Sequence, residues 1–270
     1  METRKLKNIT ILILLLLNLF LLALLLHFRL QKASSGRRLM EQLFTLYQDS
    51  AVALPEEEAL LSAAAPVSLS LNRDLDHEAE IAVFLLGRET EGEAQGGGIY
   101  TYAGPHGTVQ FRSNGAFDYT PRNQRVNAPL DFCRDFCQRF GYAEAEEITL
   151  RGGSGSFSAL RSVEGVAVYN ASLSFLFEDG LLLSVSGSCL SPAGSAPLPD
   201  SRFTVVDALV KFLDYRNASG VVCSAVTGVQ PVYELQATAA QPMSLAAKWQ
   251  VSTDTYLYYI DCATGEVSRQ

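Results

Sequence analysis

The sequence predicts an α+β fold in which an N-terminal transmembrane helix precedes two similar lobes, each an antiparallel β-sheet with a helix packed on one face. The first observation behind this prediction is a single long apolar run, Ile9–Leu26. The second is a pair of helical patterns, at residues 127–141 and 202–215, each followed by alternating strand patterns. The third is that each half ends in a hairpin-like segment, which indicates two lobes with the same order of elements.

The apolar run is 18 residues long and polar only at Thr10 and Asn18. A helix of this length spans about 27 Å, close to the thickness of a bilayer's hydrocarbon core. We therefore predict a short cytoplasmic N-terminus at 1–8 and a transmembrane helix at 9–28. A cleaved signal peptide is the alternative, but its apolar region is usually about 7–15 residues and a small-x-small cleavage site follows it. This sequence offers no such site near Leu26, so an uncleaved anchor is favoured.

Orientation does not follow from charge, because basic residues flank the run on both sides. The rest of the chain is rich in strand patterns and in Ser, Thr, Gly and Tyr, which favours an extracellular C-terminal domain. The predicted location is thus the cell membrane, with a single pass.

Bulk composition excludes some functions. The net charge is −8 with a pI near 5.0, and basic residues beyond the flanks are scattered, so nucleic-acid binding is not expected. The five cysteines are odd in number and widely spaced, which argues against a disulfide framework.

A helical stalk is predicted at 29–65, where Leu39, Leu43, Leu46 and Tyr47 recur at helical spacing. A second short helix is indicated where Pro55 precedes three glutamates. The segment either continues the membrane helix outward or packs on the domain; the pattern is compatible with both.

The first lobe is predicted at 66–190. From Val67 the pattern changes to that of strands, and the compact run Ile81–Leu86 is included in this strand region. Residues 87–98 are predicted to form an exposed loop rich in glycine and charged residues. Asn114-Gly115 and Asp179-Gly180 each lie between strand patterns and predict hairpin turns.

The helix at 127–141 is predicted to be capped by Asn127 and to end before Gly141. Its apolar stripe is Leu130, Cys133, Cys137 and Phe140.

A Pro- and Ser-rich connector at 191–200 leads to the second lobe at 201–270. Its helix, 202–215, carries the stripe Phe203, Val206, Val210 and Leu213, and Asn217 and Gly220 end it. Strands and a final turn at Thr264-Gly265 follow.

Two groups of residues are informative: Leu17-Asn18-Leu19-Phe20-Leu21 near the N-terminus, and Lys248-Trp249-Gln250-Val251, followed by Tyr258-Tyr259-Ile260-Asp261 and Thr264-Gly265-Glu266-Val267, near the C-terminus. In these motifs both ends of the chain resemble the YycI/YycH family, single-pass regulators of the WalK (YycG) two-component sensor histidine kinase of Gram-positive bacteria. The second group also resembles the end of PepSY-type domains.

The family resemblance implies a non-enzymatic regulatory protein that binds the kinase through its membrane helix and its extracytoplasmic domain. A homologous anchored regulator would be a further partner. The alternative is an anchored PepSY-like cell-envelope binding module that inhibits or escorts a secreted protease. No cofactor is expected from either reading.

Five residues are predicted to contact a partner: Asn18, Phe20, Trp249, Tyr256 and Tyr258. An amide within a bilayer gains from a partner on a neighbouring helix, which points to Asn18. Aromatic side chains anchor protein interfaces when they face outward and form core when they face inward. The alternation of the C-terminal aromatics, Tyr259 among them, leaves both outcomes open.

Other candidates are better explained structurally. Cys133 and Cys137 share a helix face and could form a metal or redox pair, but no further ligands complete a site, so two small buried residues are favoured. The acidic stretch with Asp74, Asp76, His77 and Glu78 lacks calcium-loop spacing and is interpreted as a solvated turn. His106 is interpreted as a loop residue.

Catalysis finds no support. Ser154, in GGSGS, lies between strands rather than in a strand-to-helix elbow, and is interpreted as part of a flexible loop. With three histidines in the chain, a nucleophile–base pair has few ways to assemble, so an envelope hydrolase is disfavoured.

Overall fold

A computed structural model describes residues 17, 18, 20, 38–61, 66–193, 195–198, 203–238 and 243–269. The predicted membrane segment 9–28 lies outside this part of the chain, apart from Leu17, Asn18 and Phe20. Within the described residues, no helix has the length and apolarity needed to cross a membrane.

The described helices are α1 (38–49), α2 (Glu57–Leu61), α3 (Leu75–Leu86), α4 (Pro129–Phe140) and α5 (Val205–Ser219). The strands are β1 (Leu69–Ser70), β2 (Glu91–Gly96), β3 (Ile99–Gly104), β4 (Gly107–Phe111), β5 (Ala116–Pro121), β6 (Tyr142–Ile148), β7 (Gly155–Val163), β8 (Val166–Glu178), β9 (Leu181–Ser188), β10 (Ala196–Pro197), β11 (Val226–Gln236), β12 (Ser244–Thr253), β13 (Leu257–Asp261) and β14 (Val267–Arg269).

All the described strands belong to one sheet, with the order β10-β1-β12-β11-β8-β9-β5-β4-β3-β2. Strands β6 and β7 extend it from β8, and β13 and β14 extend it from β12. The α+β class is therefore confirmed, but the two predicted sheets are joined. The cause is that β8 is 13 residues long. It pairs antiparallel with β9 near its C-terminal end, and it pairs parallel with β11, where Val168 aligns with Tyr233.

Two hydrophobic cores lie on this sheet. The first core is formed by buried residues between Ile81 and Cys189 and lies under α3 and α4. The second core includes buried residues of α1 and α5 and of β11, β12 and β13. Phe157 and Ala159 belong to the first core and Val163 to the second. Because alternate residues of a strand point to one face, both cores occupy the same face of the sheet.

The described part of α1 packs on the domain. Met40, Leu43 and Tyr47 are buried in the second core, and the Tyr47 hydroxyl donates to the carbonyl oxygen of Leu209 on α5 at 2.8 Å. Leu39 and Leu46, also part of the predicted stripe, remain 53% and 44% exposed. Residues 38–49 therefore adopt the second of the two predicted arrangements, in which the segment packs on the domain.

Helix α3 replaces two sequence predictions, the solvated turn at 74–78 and the strand-like run Ile81–Leu86. Asp74 is its N-cap, accepting a hydrogen bond from the His77 backbone N–H at 3.0 Å. Glu78 is only 2% exposed and accepts from Arg73 Nε at 2.7 Å. The solvated-turn prediction is wrong because these polar side chains form the N-cap of the helix and a buried ion pair. The helix starts after Asp74, and residues 81–86 form its second half.

Strand β2 replaces most of the loop predicted at 87–98. Its residues are exposed, as predicted, but they pair with β3 as an edge strand. Gly92 lies under the rings of Tyr100 and Tyr102, where an added Cβ would be 2.8 Å from each ring. The pairing and this aromatic cover order a segment whose own residues have low strand propensity.

The predicted hairpin turns are confirmed. Gly115, with a φ of 84°, closes the β4–β5 turn, and its N–H donates to the Arg112 carbonyl at 3.0 Å. Asp179 and Gly180 have φ angles of 49° and 75° between β8 and β9, as a two-residue turn of the I′ type requires.

The two predicted helices are also confirmed, with corrections at their starts. Helix α4 ends at a left-handed Gly141, but Ala128 is its N-cap and no side chain caps it, so the capping role predicted for Asn127 is wrong. Helix α5 begins with a Thr204–Asp207 capping box and ends at Gly220. Its buried stripe is rotated from the predicted one, because Val206 is half-buried and Val210 is 37% exposed, whereas Val205, Leu209 and Phe212 are buried.

Candidate protein-interaction face

The sheet face opposite the cores, here called the open face, carries mostly polar side chains, with Leu176 exposed among them. On β7, Phe157, Ala159 and Val163 are buried in the cores, whereas Ser156 and Ser158 point the other way. The same alternation follows β8, where Leu173 and Phe175 are buried and Ser174 is exposed. No described helix has buried residues on the open face, so its side chains remain accessible over most of the first lobe.

Register aligns the open-face residues of eight strands in one row. Successive partners in this polar row are Glu147, Ser158, Ser174, Ser186, Asp118, Gln110, Thr101 and Glu93. With strands about 4.8 Å apart, the polar row is about 34 Å wide. An antiparallel sheet often has one solvated face. The width of this one gives it the dimensions of a protein-interaction surface rather than of a small-ligand site.

The open face carries more acidic than basic groups. Asp118 accepts from Arg112 Nη1 at 2.5 Å, and both side chains are about half exposed. Glu93 and Glu147 end the polar row, and the exposed Glu178 lies on the same face of β8. The resulting negative potential complements a basic partner surface.

Where the lobes meet, the open face carries a cluster of paired side chains, here called the seam. Glu234 on β11 accepts from the Tyr169 hydroxyl at 2.6 Å and from Lys248 Nζ at 3.0 Å. The ring of Tyr169 stacks on that of Tyr259 with 3.9 Å between centroids. Asn170 bonds both the N–H and the carbonyl of Leu235, at 2.7 and 2.9 Å. These contacts join β8 of the first lobe to β11, β12 and β13 of the second.

The pairing sets the charge states in the seam. Burial raises the pKa of Glu234, but hydrogen bonds from Tyr169, Gln236 and Lys248 lower it more strongly, so the pKa lies below its usual value. Burial, followed by the hydrogen bond to Glu234, raises the pKa of Tyr169. The seam therefore holds the Glu234 carboxylate between the Tyr169 phenol and the Lys248 side chain, both of which donate to it.

The residues predicted to contact a partner occupy different places. Asn18 and Phe20 are exposed; they lie in the predicted membrane segment, of which few residues are described. Trp249 is fully buried, and its Nε1 donates to the Phe203 carbonyl at 2.8 Å. Tyr258 is also fully buried, so neither side chain is accessible to a partner. Tyr256 is 50% exposed and lies under the Arg269 guanidinium, 4.7 Å from the ring centroid.

The remaining candidate residues are structural. Cys133 and Cys137 are buried in the first core without a disulfide, and burial raises the pKa of Cys137 to about 11. The hydroxyl of Ser154 accepts from the Asp179 N–H at 2.8 Å and so holds the β8–β9 turn against the β6–β7 connection. The backbone carbonyl of His106, a loop residue as predicted, accepts from the Tyr119 hydroxyl at 2.8 Å. No group of three potential metal ligands occurs among the described residues.

The polar row is not among the features predicted from the sequence. Its signal is the alternation of serine with apolar residues in three separate segments, 156–162, 172–176 and 184–188. Each alternation predicts a strand, but only the pairing register places Ser158, Ser174 and Ser186 side by side.

Comparison with known proteins leaves the family open. No family model matches the chain, and no curated protein matches it. Among solved structures, an uncharacterized protein from Eubacterium rectale is similar at 10% identity and a TM-score of 0.40, over 76% of this chain and 81% of that one. The YpeB C-terminal domain of Bacillus megaterium is similar at 12% identity and a TM-score of 0.36, over 74% of this chain and 98% of that one. At such scores neither similarity establishes a function, and the relationship to YycI/YycH remains a prediction.

Proposed function

We propose that this protein is a membrane-anchored, non-enzymatic, PepSY-like binding module whose open face holds another cell-envelope protein. The single observation that carries the proposal is the polar row, an accessible and acidic strip that crosses eight strands. The helices packed on the other face support the sheet, so the open face is presented on a rigid element.

The proposed partner is a secreted protease that presents a basic surface and is inhibited or escorted by the module. Short hydroxyl side chains lose little conformational entropy on contact, and carboxylates on the face would steer a basic partner towards it. Ser154, which the sequence places outside any nucleophile elbow, is engaged by a turn, and this supports binding rather than turnover by this chain.

A second candidate partner is the WalK sensor kinase, with a homologous anchored regulator. It is favoured by the resemblance at both ends of the chain and by exposed apolar residues on α1, Leu39 and Leu46, next to the membrane segment. A partner that binds one kinase conformation more tightly shifts signalling by that difference in binding free energy.

Site-specific crosslinking in intact cells tests the proposal. A photoreactive amino acid is placed at Ser174 on the open face or, as a control, at Glu80, which is exposed on α3. We expect a peptidase to be attached from position 174 only, and Ser186→Arg to reduce this attachment because a new cation repels a basic partner. A histidine kinase attached instead would support the second candidate. Equal crosslinking from both positions, or attachment of neither partner, would refute binding through the open face.

A further inference from the structure

Strand β6 forms a free edge of the sheet. Within the part of the chain that the structure describes, it pairs with β7 and with no other strand. The outer side of an edge strand carries backbone N–H and C=O groups that can pair with a further strand. The other edges are less suited to such pairing, because β10 and β14 have two and three residues, and β2, EGEAQG, consists of small, polar and charged residues that are all exposed. The seven residues of β6 are long enough to hold a peptide strand.

A groove of about 550 Å³ runs beside β6, between this strand and α4. Its floor is apolar: Cys137 on α4, Tyr142 on β6 and Phe157 on β7 line it, and each belongs to the first core. Ile148, the last residue of β6, also lines the groove and is 45% exposed. Because alternate side chains of a strand point to one face, a strand added to β6 would direct every second side chain towards this groove.

The charges differ on the two faces of β6. On the open face, the exposed Glu147 ends the polar row. On the groove side, the exposed polar side chains are those of Arg134 and Gln138 on α4. A basic side chain in the groove would meet Arg134, whereas one on the open face would lie beside Glu147. Charge complementarity therefore favours an added strand with basic residues on the open face and apolar residues in the groove.

The regular part of β6 is its C-terminal end. The register against β7 shifts on both sides of Ala145, as is common in edge strands. From Glu147 the alignment is regular, and the Thr149 N–H donates to the carbonyl oxygen of Ser156 at 2.9 Å. Neighbouring strand residues point to opposite faces, so Glu147 and Ile148 present one charged and one apolar contact to an added strand.

We propose that β6 binds an extended, basic segment of a partner protein by strand addition. Main-chain hydrogen bonds to the outer side of β6 hold the segment, its apolar side chains enter the groove, and its basic side chains lie beside Glu147. The occupant is not a second copy of this chain, because β6, YAEAEEI, has three glutamates and no basic residue, and two such strands side by side repel each other. This contact adds a strand at the edge rather than covering the polar row, and it does not depend on the proposed function.

A synthetic peptide in which lysine and valine alternate, seven residues long like β6, is the probe. Fluorescence anisotropy measures its binding to the purified full-length chain in a non-ionic detergent. Three peptides serve as controls. One has the same residues in two blocks, which removes the alternation, and one has glutamate in place of lysine. The third is N-methylated at every residue, which removes the backbone donors needed for strand pairing.

Two variants of β6 change the proposed contacts, and each has a matched control. Glu147→Lys reverses the charge beside the edge, and its control is Glu93→Lys, because Glu93 is an exposed glutamate on edge strand β2 at the other end of the polar row. Ile148→Asn makes the groove polar, and its control is Leu176→Asn, because Leu176 is a strand residue exposed to a similar extent, 42%.

We expect saturable binding of the alternating peptide, weakened about tenfold or more by Glu147→Lys and by Ile148→Asn and unchanged by Glu93→Lys and Leu176→Asn. All three control peptides should bind at least about tenfold more weakly. Absence of saturable binding, equal binding of the N-methylated peptide, or equal losses in Glu147→Lys and Glu93→Lys would overturn the proposal. None of these results alters crosslinking from Ser174, so this proposal and the proposed function fail separately.

Discussion

The guanidinium of Arg161, on β7, donates from Nε to the carbonyl oxygen of Leu190 at 3.1 Å. It also donates to the carbonyl oxygens of Phe140 and Gly141 at the end of α4. The side chain is 5% exposed and lies between the two cores, over the Tyr142 ring. One buried cation therefore ties α4 to the chain segment that leads into the second lobe.

Arg161→Met should be strongly destabilising, because the buried carbonyl groups of Phe140 and Leu190 would lose this donor, while that of Gly141 would keep only the Ser162 N–H. We expect a loss of about 2–4 kcal/mol in the free energy of unfolding. Urea denaturation of the full-length chain measures it. Arg139→Met, which removes an exposed arginine whose described contacts are with aromatic rings, should cost less than about 1 kcal/mol. Similar losses in the two variants would contradict the role of Arg161.

Acidification should weaken the seam. The pKa of Glu234 in the folded state lies below its model-compound value of 4.5, so the unfolded state takes up the proton more readily. The stabilisation is therefore complete above about pH 4.5 and is lost as the pH falls through the folded-state pKa. The stability difference between wild type and Glu234→Gln, measured by denaturation from pH 7 to pH 3, should be constant at first and then shrink. A difference that grew on acidification would show that the sign is wrong.

Gly107 should not tolerate a side chain. Its φ is 145°, and an added Cβ would be 2.2 Å from the carbonyl oxygen of Thr120 on the paired strand. We expect Gly107→Ala to cost more than about 2 kcal/mol. Gly228, a strand glycine with no atom within 4 Å of an added Cβ, is the matched control. Gly228→Ala should be neutral or slightly stabilising in the same thermal unfolding assay, and equal effects at both positions would count against this explanation.

Ser154→Ala separates a structural from a catalytic serine. Loss of the hydrogen bonds to Asp179 should lower the free energy of unfolding by about 0.5–1.5 kcal/mol. Crosslinking of a partner from position 174 should persist at the wild-type level. Loss of that crosslinking in a variant that remains folded, judged by circular dichroism, would reopen a functional role for Ser154.

Local signals in the sequence were sufficient for several elements. The turns at Asn114-Gly115 and Asp179-Gly180, and helices α4 and α5 with their terminal glycines, depend on backbone conformations that only a few residue types adopt readily. The same signals failed for α3 and β2. In α3, polar residues that indicate a turn are an N-cap and a buried ion pair, and in β2 a glycine-rich segment is ordered by its neighbour.

The sequence by itself determined the α+β class, the buried face of α4 and the positions of the tight turns, because these follow from residues that are close together along the chain. Only the tertiary structure decided that one sheet serves both lobes and that Ser158, Ser174 and Ser186 form one row. It also showed that Trp249 and Tyr258 are core residues. Strand pairing brings together residues far apart in sequence, and a pattern within one strand carries no information about which strand lies beside it.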